Sequence, residues 1–454
     1  MTSILSGLES VKQALASQQF ALSITQRNVA NASNESYTRE DAVFSDVTAS
    51  GGAAVNIQAY RDRFLDVSIG QEMQSLGKQQ AQSSALSQID AIFNENSGQG
   101  LQAALADFFN SFSSLSATPE DLILRQQVLS KATALTSEFH RLCAGMQRVQ
   151  YSVNSSVTST VDEINSITSK IAAINKQIPG ETGSGNEFAL RDERQKLLEN
   201  LSSLIDTSYY ETESGSITVT TGQGGLLVAG KNSYALESSP ISGSGFQGVQ
   251  LGGVDITATL QSGKLAGLIE ARDQVTGYLN SLDDIASAIA TRVNEQHSAG
   301  SDLDGISGGN LFSFTTTNST STSGAARSIS VAFSDPRKIA AANSTGGPGN
   351  NENANLLFGI KDERLLAFSA ETASQFYAGL IYKVGSNERD AAESVTTQNS
   401  ILDQLKNQRD AVSGVDLNEE AANLIKYQKA YQASARFATV LDTLSSDILN
   451  LIGA

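Results

Sequence analysis

Residues able to carry out covalent or metal chemistry are few in this 454-residue chain. It has one cysteine, Cys143, and two histidines, His140 and His297, which lie far apart in sequence. A single cysteine excludes an intramolecular disulfide and a cysteine-rich metal site. Cys143 falls on an apolar helical stripe, which favours a buried, inert thiol, and neither histidine belongs to an H-E-x-x-H pattern. We therefore expect no catalytic residue, no metal ligand and no cofactor.

Two stretches partly match ligand-binding loops. Residues 301–305 (SDLDG) resemble the start of a calcium loop, but the third acidic position and the closing glutamate are missing. Residues 222–225 (GQGG) form a glycine cluster, but neither a Lys-Ser/Thr pair nor a helix follows, as a phosphate loop requires. Both stretches predict ordinary turns.

Composition narrows the class of protein. The chain has 31 Lys+Arg against 48 Asp+Glu, a net charge of -17, which argues against nucleic-acid binding. No stretch of about 18 apolar residues occurs, so we expect no membrane insertion. The N-terminus also lacks the basic start and apolar segment of a cleaved secretory signal.

Long helical patterns separated by glycine-rich stretches dominate the chain. Only 5 prolines occur, which permits long helices. Apolar spacing predicts the longest helix over residues 118–178, opened by a Thr118 cap with Pro119 at the first helical position. At 1.5 Å per residue this helix would span roughly 90 Å. The sequence therefore predicts a mainly α fold with a small β part, elongated, with long antiparallel helices and a β-meander inserted between helical arms.

The last forty residues carry an apolar seam. Gly414 suits the left-handed residue that ends a helix, Asp416 can cap the next helix, and Glu419 would complete a capping box. The following positions alternate at steps of four and three, the spacing by which one helix wraps another: Leu417, Ala421, Leu424, Gln428, Tyr431, Ala435 and Ala438.

The N-terminus carries a matching seam. Its positions keep the same alternation: Ile4, Leu8, Val11, Leu15, Gln18, Leu22, Thr25 and Val29. One interpretation is two terminal helices that pack on a single core. The interpretation favoured here is a terminal N/C coiled coil whose outer faces meet neighbouring subunits, with ends that are mobile in the monomer.

These patterns divide the chain into four predicted parts. Residues 1–54 with 413–454 would form the terminal coiled coil. Residues 55–205, with 257–304 and 356–412, would form a long-helix bundle. The other two parts are a small β-meander over 206–256 and a reduced outer β/loop region over 305–355.

The two ends also resemble a known family. The N-terminal stretch "NVANASNESYTR" and the C-terminal stretch beginning "SGVDLNEEAANLIKYQKAY" are similar to the paired signatures of flagellar rod, hook and hook-associated axial proteins. "SGVDLNEE" and the length of the helical middle point to the hook–filament junction members. Longer members carry a large extra β domain, of which only a remnant is expected here.

The resemblance implies a structural protein of the bacterial flagellum, which assembles with copies of itself into a ring or helical tube. Its implied partners are the hook subunit, a second hook–filament junction protein and an export chaperone. It implies an extracellular location reached through the flagellar type III export channel. The expected assembly interface combines seam and signature positions: Leu8, Val11, Leu15, Leu22, Asn28, Asn31, Tyr37, Arg39, Leu417, Leu424, Gln428, Tyr431, Leu441 and Leu444.

Two alternatives stay open from the sequence. The chain could be another axial subunit of hook or filament type. A more distant alternative is a peptidoglycan hydrolase carried on such a scaffold, which would need paired carboxylates in a cleft. The Asp and Glu residues instead fall on solvent faces of the expected helices or in their caps, so we do not expect an enzyme.

Overall fold

A computed structural model describes residues 2–45, 54–93, 99–181, 185–242, 245–317, 321–366 and 370–452. Helices account for most of these residues, and the prediction of a mainly α fold with a small β part is confirmed. The helices are α1 (Thr2–Asn31), α2 (Arg63–Phe93), α3 (Leu101–Ala117), α4 (Leu122–Gln177), α5 (Gly185–Leu204), α6 (Gly263–Ala299), α7 (Ala325–Ser328), α8 (Glu352–Gly359), α9 (Ala373–Ser413) and α10 (Leu417–Ile452).

The described strands are short, and most pair with the next strand along the chain, whereas β10 pairs with β13. They are β1 (Glu40–Ser45), β2 (Ala54–Ala59), β3 (Thr207–Glu211), β4 (Ile217–Thr221), β5 (Leu226–Ala229), β6 (Asn232–Ser233), β7 (Leu236–Pro240), β8 (Gln247–Leu251), β9 (Val254–Asp255), β10 (Gly300–Ser301), β11 (Phe312–Ser313), β12 (Ser330–Val331) and β13 (Ala342–Asn343). The predicted meander over 206–256 is two antiparallel sheets, β3-β4-β5-β6 and β7-β8-β9, rather than one.

The 56-residue helix α4 is the spine of the helical body. Its apolar stripe is buried from Val128 to Ile174, and α3, α5 and α6 pack along it. The predicted stripe position Cys143 is 2% exposed. Burial of these branched and aromatic side chains supplies most of the helix's stability, because isolated helices are marginal in water.

Helix α4 begins later than the spacing predicted. Asp121, not Thr118, is the N-cap, and its carboxylate accepts a hydrogen bond from the Ile123 backbone N–H. Residues 118–121 form a turn, closed by a bond from Asp121 N–H to Thr118 O. Aspartate and threonine are both favoured N-cap residues, so the capping preference is met equally by a helix that starts after Thr118 and by one that starts after Asp121.

Glycines let α2 approach both α6 and α5 closely. A Cβ on Gly267 of α6 would lie 2.3 Å from the Lys78 carbonyl oxygen of α2, and a Cβ on Gly77 of α2 would lie 2.0 Å from Ser203 O of α5. The helices could not come this near with any larger residue.

The predicted division of the chain into four parts stays a prediction.

Candidate assembly interface

The two ends of the chain pair with each other. Helix α1 packs along α10, and the β1–β2 hairpin lies beside α1. The contact is narrow, because Glu420 and Tyr427 are the buried positions among the described side chains of α10. Toward the tips the contact involves small residues: a Cβ on Gly7 would lie 3.4 Å from Leu441.

The packed face of α10 lies one position away from the predicted seam. Glu420 and Tyr427 are buried, and Ala430, Ser434 and Leu441 are half-buried. Of the predicted seam, Leu417, Ala421, Gln428 and Tyr431 are exposed, whereas Leu424, Ala435 and Ala438 are half-buried. Apolar residues occur on several sides of this helix, so the four-three spacing could be drawn through neighbouring positions.

The packed face of α1 is also shifted. Val11 and Thr25 are buried as the spacing predicted, but Val29 is 45% exposed. Leu8, Leu15, Gln18 and Leu22 are half-buried, and the side chain of Ile4 lies outside the described residues. The other buried positions of α1 are Ser17, Ala21, Ile24 and Asn28, of which two are polar and one is alanine. Small side chains let two helix backbones approach.

Asn28 makes four hydrogen bonds, which we call the terminal clasp: one reaches Glu420 at the C-terminal end, and three bind Tyr37 and Glu40 at the N-terminal end. Its Nδ2 donates to Glu420 Oε1 and to Glu40 O, each at 2.8 Å. Its Oδ1 accepts from the Tyr37 hydroxyl at 2.7 Å and from the Glu40 N–H at 3.1 Å. Asn28 is 1% exposed, so every polar capacity of its amide is satisfied inside the protein.

Ion pairs surround the clasp. Arg27 Nη2 lies 2.6 Å from Glu40 Oε2, whose residue is 2% exposed, and Arg39 Nη1 lies 2.6 Å from Glu419 Oε2. The Arg39 guanidinium also lies 4.8 Å from the centre of the Tyr60 ring. Glu419 therefore binds Arg39 rather than completing the predicted capping box, whereas Asp416 accepts from Asn418 N–H as predicted.

The loop after α1 is bound to the helical body, and we call this contact the loop anchor. Asp192 of α5 accepts from both the N–H and the hydroxyl of Thr38, at 2.9 and 2.7 Å. Arg409 of α9 donates to Glu199 Oε1 at 3.0 Å and to Glu35 O at 2.9 Å. The loop anchor thus binds the terminal pair to α5 and α9 of the helical body.

Burial raises the pKa of four carboxyls at this junction. Desolvation is the largest cause for Asp66, Asp192, Glu199 and Glu420 alike. Nearby arginines and hydrogen-bond donors partly oppose it, since they favour the charged form. Burial likewise raises the pKa of the Tyr37 phenol, with the Glu40 carboxylate adding to the effect.

Gly414, at the elbow between α9 and α10, differs from its predicted role. Its φ is -73°, an extended conformation that any residue adopts, so it is not a left-handed cap. A Cβ there would lie 2.3 Å from Asp410 O. Glycine is needed at the elbow for this close approach.

Several expected interface residues remain on the surface. Leu417 is 55% exposed, Tyr431 38% and Leu444 47%, while Asn31 is half-buried and donates only to Arg27 O. Of these, Leu444 belongs to an outer stripe of exposed residues that covers about 120° of α10 at 100° per residue, whereas Leu417 and Tyr431 lie outside it. The outer stripe consists of Ile425, Lys426, Lys429, Arg436, Phe437, Val440 and Leu444.

The sequence did not identify the acidic and basic partners of the junction. Glu40 and Glu420 complete the clasp, and Asp192 and Arg409 form the loop anchor. Asp192 and Arg409 lie in ordinary charged helical stretches, where spacing carries no signal for burial. Glu420 follows the α10 cap, and only the packing of α1 on α10 shows that its side chain is buried.

The residues considered for chemistry lie apart from this interface. Burial raises the pKa of the Cys143 thiol to about 12 and lowers that of His297 to about 4. His297 Nδ1 lies 2.6 Å from Gly309 O, and its Nε2 accepts from Ala340 N–H. Within the described ranges no group of three or more His, Cys, Asp or Glu could hold a metal ion, and no helix is long and apolar enough to cross a membrane.

Two family models match the chain. The model described as the flagellar hook-associated protein FlgK helical domain matches residues 86–312. The model of the flagellar basal body rod FlgEFG protein C-terminal matches residues 406–451, which include all but the end of α10.

Individual relatives align over almost the whole chain. Flagellar hook-associated protein 1 of Bacillus subtilis is 30% identical over 100% of this chain and 99% of its own length. The protein of that name from Escherichia coli is 23% identical over 95% of this chain and 97% of its own length. A solved structure of the flagellar hook junction protein FlgK from Burkholderia pseudomallei has a TM-score of 0.68 at 17% identity, covering 76% of this chain and 100% of that one.

Proposed function

The chain belongs to the flagellar hook-associated protein 1 family, and from that premise we propose that it is a structural adaptor at the hook–filament junction, which assembles with copies of itself through α1 and α10. The observation that carries this proposal is the pairing of the two chain ends by Asn28 and Glu420 while the outer stripe of α10 stays exposed. A helix that packs on one narrow face and exposes apolar residues on another has surface left for a second contact.

In this role the molecule has no chemistry of its own. A repeated head-to-tail contact between identical subunits closes into a ring or continues as a helical tube. We propose that α1 and α10 of successive copies line that tube, with the helical body around α4 outside them. The loop anchor would hold the terminal pair at a fixed angle to the body.

The helical-domain match favours a junction protein over a hook or rod subunit. The C-terminal match is to a model described by basal body rod proteins, whereas the description of the match over residues 86–312 names the hook-associated protein. The proposed partners are the hook subunit on one side and a second junction protein on the other. We further propose an export chaperone and export through the flagellar channel without a cleaved signal.

The terminal pair would be least stable at its tips before assembly. Its buried contacts concentrate near Asn28, Glu420 and Tyr427, at the base, and grow sparse toward the chain ends. Segments with few buried contacts open locally at low free-energy cost. Neighbouring copies would then cover and order these tips.

The test is complementation in a bacterium lacking its own protein of this family. The full chain should restore motility and hooks that bear filaments. A chain lacking residues 415–454 should restore neither, and its export should be measured in the culture medium so that loss of export is not mistaken for loss of assembly. Attached filaments with the shortened chain would refute the proposed role of the ends.

A further inference from the structure

The outer stripe of α10 carries positive charges that form no ion pair with the described residues of its own chain. Lys426, Lys429 and Arg436 are all exposed, and none of them forms an ion pair with the described residues. Between Glu420 and Asp447 the one carboxylate of α10 is Asp442, which lies on another side of the helix, and the exposed Asp447 lies on the side of the stripe one turn beyond Leu444. Lys426 lies 5.4 Å from the centre of the Tyr427 ring, and none of the three positive charges is neutralised by a described carboxylate.

Apolar side chains share this face. Phe437 is 56% exposed, Val440 54% and Leu444 47%. A face that combines exposed aromatic and aliphatic side chains with arginine and lysine is typical of a protein contact that excludes water at its centre and pairs charges at its rim.

The opposite pattern occurs on α9, and we call it the acidic face. Glu393, Asp403 and Asp410 are exposed and lie within about 100° of one another around the helix. Of the two cations among them, Lys406 lies 4.0 Å from Glu35, whereas Arg409 binds Glu199 at 3.0 Å and its Nε lies 3.7 Å from Asp410 Oδ1. Asp410 stays exposed beside Arg409, and Glu393 and Asp403 form no ion pair with the described residues.

We propose that the outer stripe of α10 docks on the acidic face of α9 in a second copy of this chain. The inference rests on the proposed function, because it specifies which surfaces of the self-assembling subunit meet. The two charged sets have comparable lengths, roughly 15 Å for the cations of α10 and roughly 25 Å for the carboxylates of α9 at 1.5 Å per residue. Charge complementarity of this kind fixes the register of a contact and disfavours other registers, because these would bring like charges together.

The test is sedimentation velocity of the purified full chain over a range of protein and salt concentrations. The unmodified chain should associate reversibly, and more weakly as salt rises, because exposed charge pairs are screened. The reversal Lys426→Glu, Lys429→Glu and Arg436→Glu should weaken association about tenfold or more, because like charges would then face each other. The reversal Glu393→Lys, Asp403→Lys and Asp410→Lys should do the same.

Combining both reversals in one chain gives the decisive sample. It should restore association to within about threefold of the unmodified chain, because the charges are then exchanged rather than lost. The control is Arg148→Glu, Lys170→Glu and Lys176→Glu on α4, which makes the same change of net charge at exposed positions outside both faces. The control should associate like the unmodified chain, and thermal unfolding should show that every variant folds.

Each other result overturns the inference. One such result is that neither reversal weakens association while the triple substitution Phe437→Ser, Val440→Ser and Leu444→Ser abolishes it. That result would support self-assembly through α10 and refute the charge pairing with α9. If none of these variants matters, or if the chain stays monomeric at low salt, the proposed self-assembly falls with it. Binding to vesicles of anionic phospholipid that needs the three cations, without salt-sensitive self-association, would assign the stripe to a lipid surface instead.

Discussion

Asn28 donates a hydrogen bond to Glu420 Oε1 at 2.8 Å, joining residues 392 positions apart in the chain. The same amide holds the main chain of Glu40 on both sides, as a strand partner would. The relationship explains why an asparagine, with two donor hydrogens and one acceptor oxygen on a short stem, lies at the base of the terminal pair.

Replacing Asn28 with alanine should loosen both terminal helices. Four hydrogen bonds would be lost and buried polar groups left without partners, at a cost of about 2–4 kcal/mol. Hydrogen exchange should show faster exchange in α1 and α10 with little change in α4. Asn31→Ala is the control, because Asn31 is half-buried and bonds only to Arg27 O; equal effects of the two substitutions would contradict the role of the clasp.

Thr38 and Asp192 should be energetically coupled. Thr38→Val and Asp192→Asn each weaken the loop anchor, and the double substitution should cost about 1–2 kcal/mol less than their sum. Urea unfolding of the four proteins measures this coupling, and limited proteolysis at the loop after α1 gives a local readout. Strictly additive effects would mean that the two hydrogen bonds do not hold the loop.

Much of the fold was predictable from the sequence, because a long helix repeats its apolar spacing over many turns. Helix α4 differs from the predicted helix over 118–178 by a few residues, and α6 and α9 are long helices as well. Their apolar stripes continue for many turns, so no single residue decides them. Cap positions were less certain, since Thr118 and Asp121 both fit a helix start.

The faces of the terminal helices were not predictable in the same way. Helix α10 has apolar residues on several sides, and spacing alone could not show which side packs on α1. The residues of the clasp and its surroundings were predicted only in part. Asn28, Tyr37 and Arg39 came from the family signature. Glu420 and Asp192 could not be predicted, because their contacts depend on which distant elements meet. Such pairings belong to tertiary structure and leave no local pattern.

Asp206 should make the helical body less stable as pH rises. Burial raises its pKa to about 6, opposed by backbone N–H groups that include that of Gln261. Because the folded-state pKa lies above the ordinary 3.8, the stabilising effect of protonation is complete below about pH 4 and is lost as the pH rises through 6. Asp206→Asn should therefore raise the melting temperature at pH 7.5 and flatten its fall between pH 4.5 and 7.5.

Asp255 provides the contrast for that experiment. Hydrogen bonds from Thr257 lower its pKa, so its charged form favours the fold at neutral pH. Asp255→Asn should leave stability unchanged or slightly lower at pH 7.5. A fall in melting temperature for Asp206→Asn at that pH would contradict the assigned cost of burying its charge.

Two glycines of α6 should respond in opposite ways to alanine. Gly267→Ala should destabilise the protein by about 3 kcal/mol, because the new methyl would collide with the Lys78 carbonyl on α2. Gly277→Ala should stabilise it by about 0.5–1 kcal/mol, since nothing lies within 4 Å of the added carbon and alanine favours a helix. Urea unfolding measures the change in the free energy of unfolding for each substitution. Similar effects at both positions would rule out glycine as the reason for the close α2–α6 approach.

The most direct test of the account replaces Phe437, Val440 and Leu444 by serine in the living bacterium. These side chains are exposed, so the chain should fold, keep its terminal clasp and appear in the culture medium. Electron microscopy should then show hooks without attached filaments, and the cells should not swim. Normal numbers of filament-bearing hooks, built with the substituted chain, would show that the exposed face of α10 plays no part in joining hook to filament.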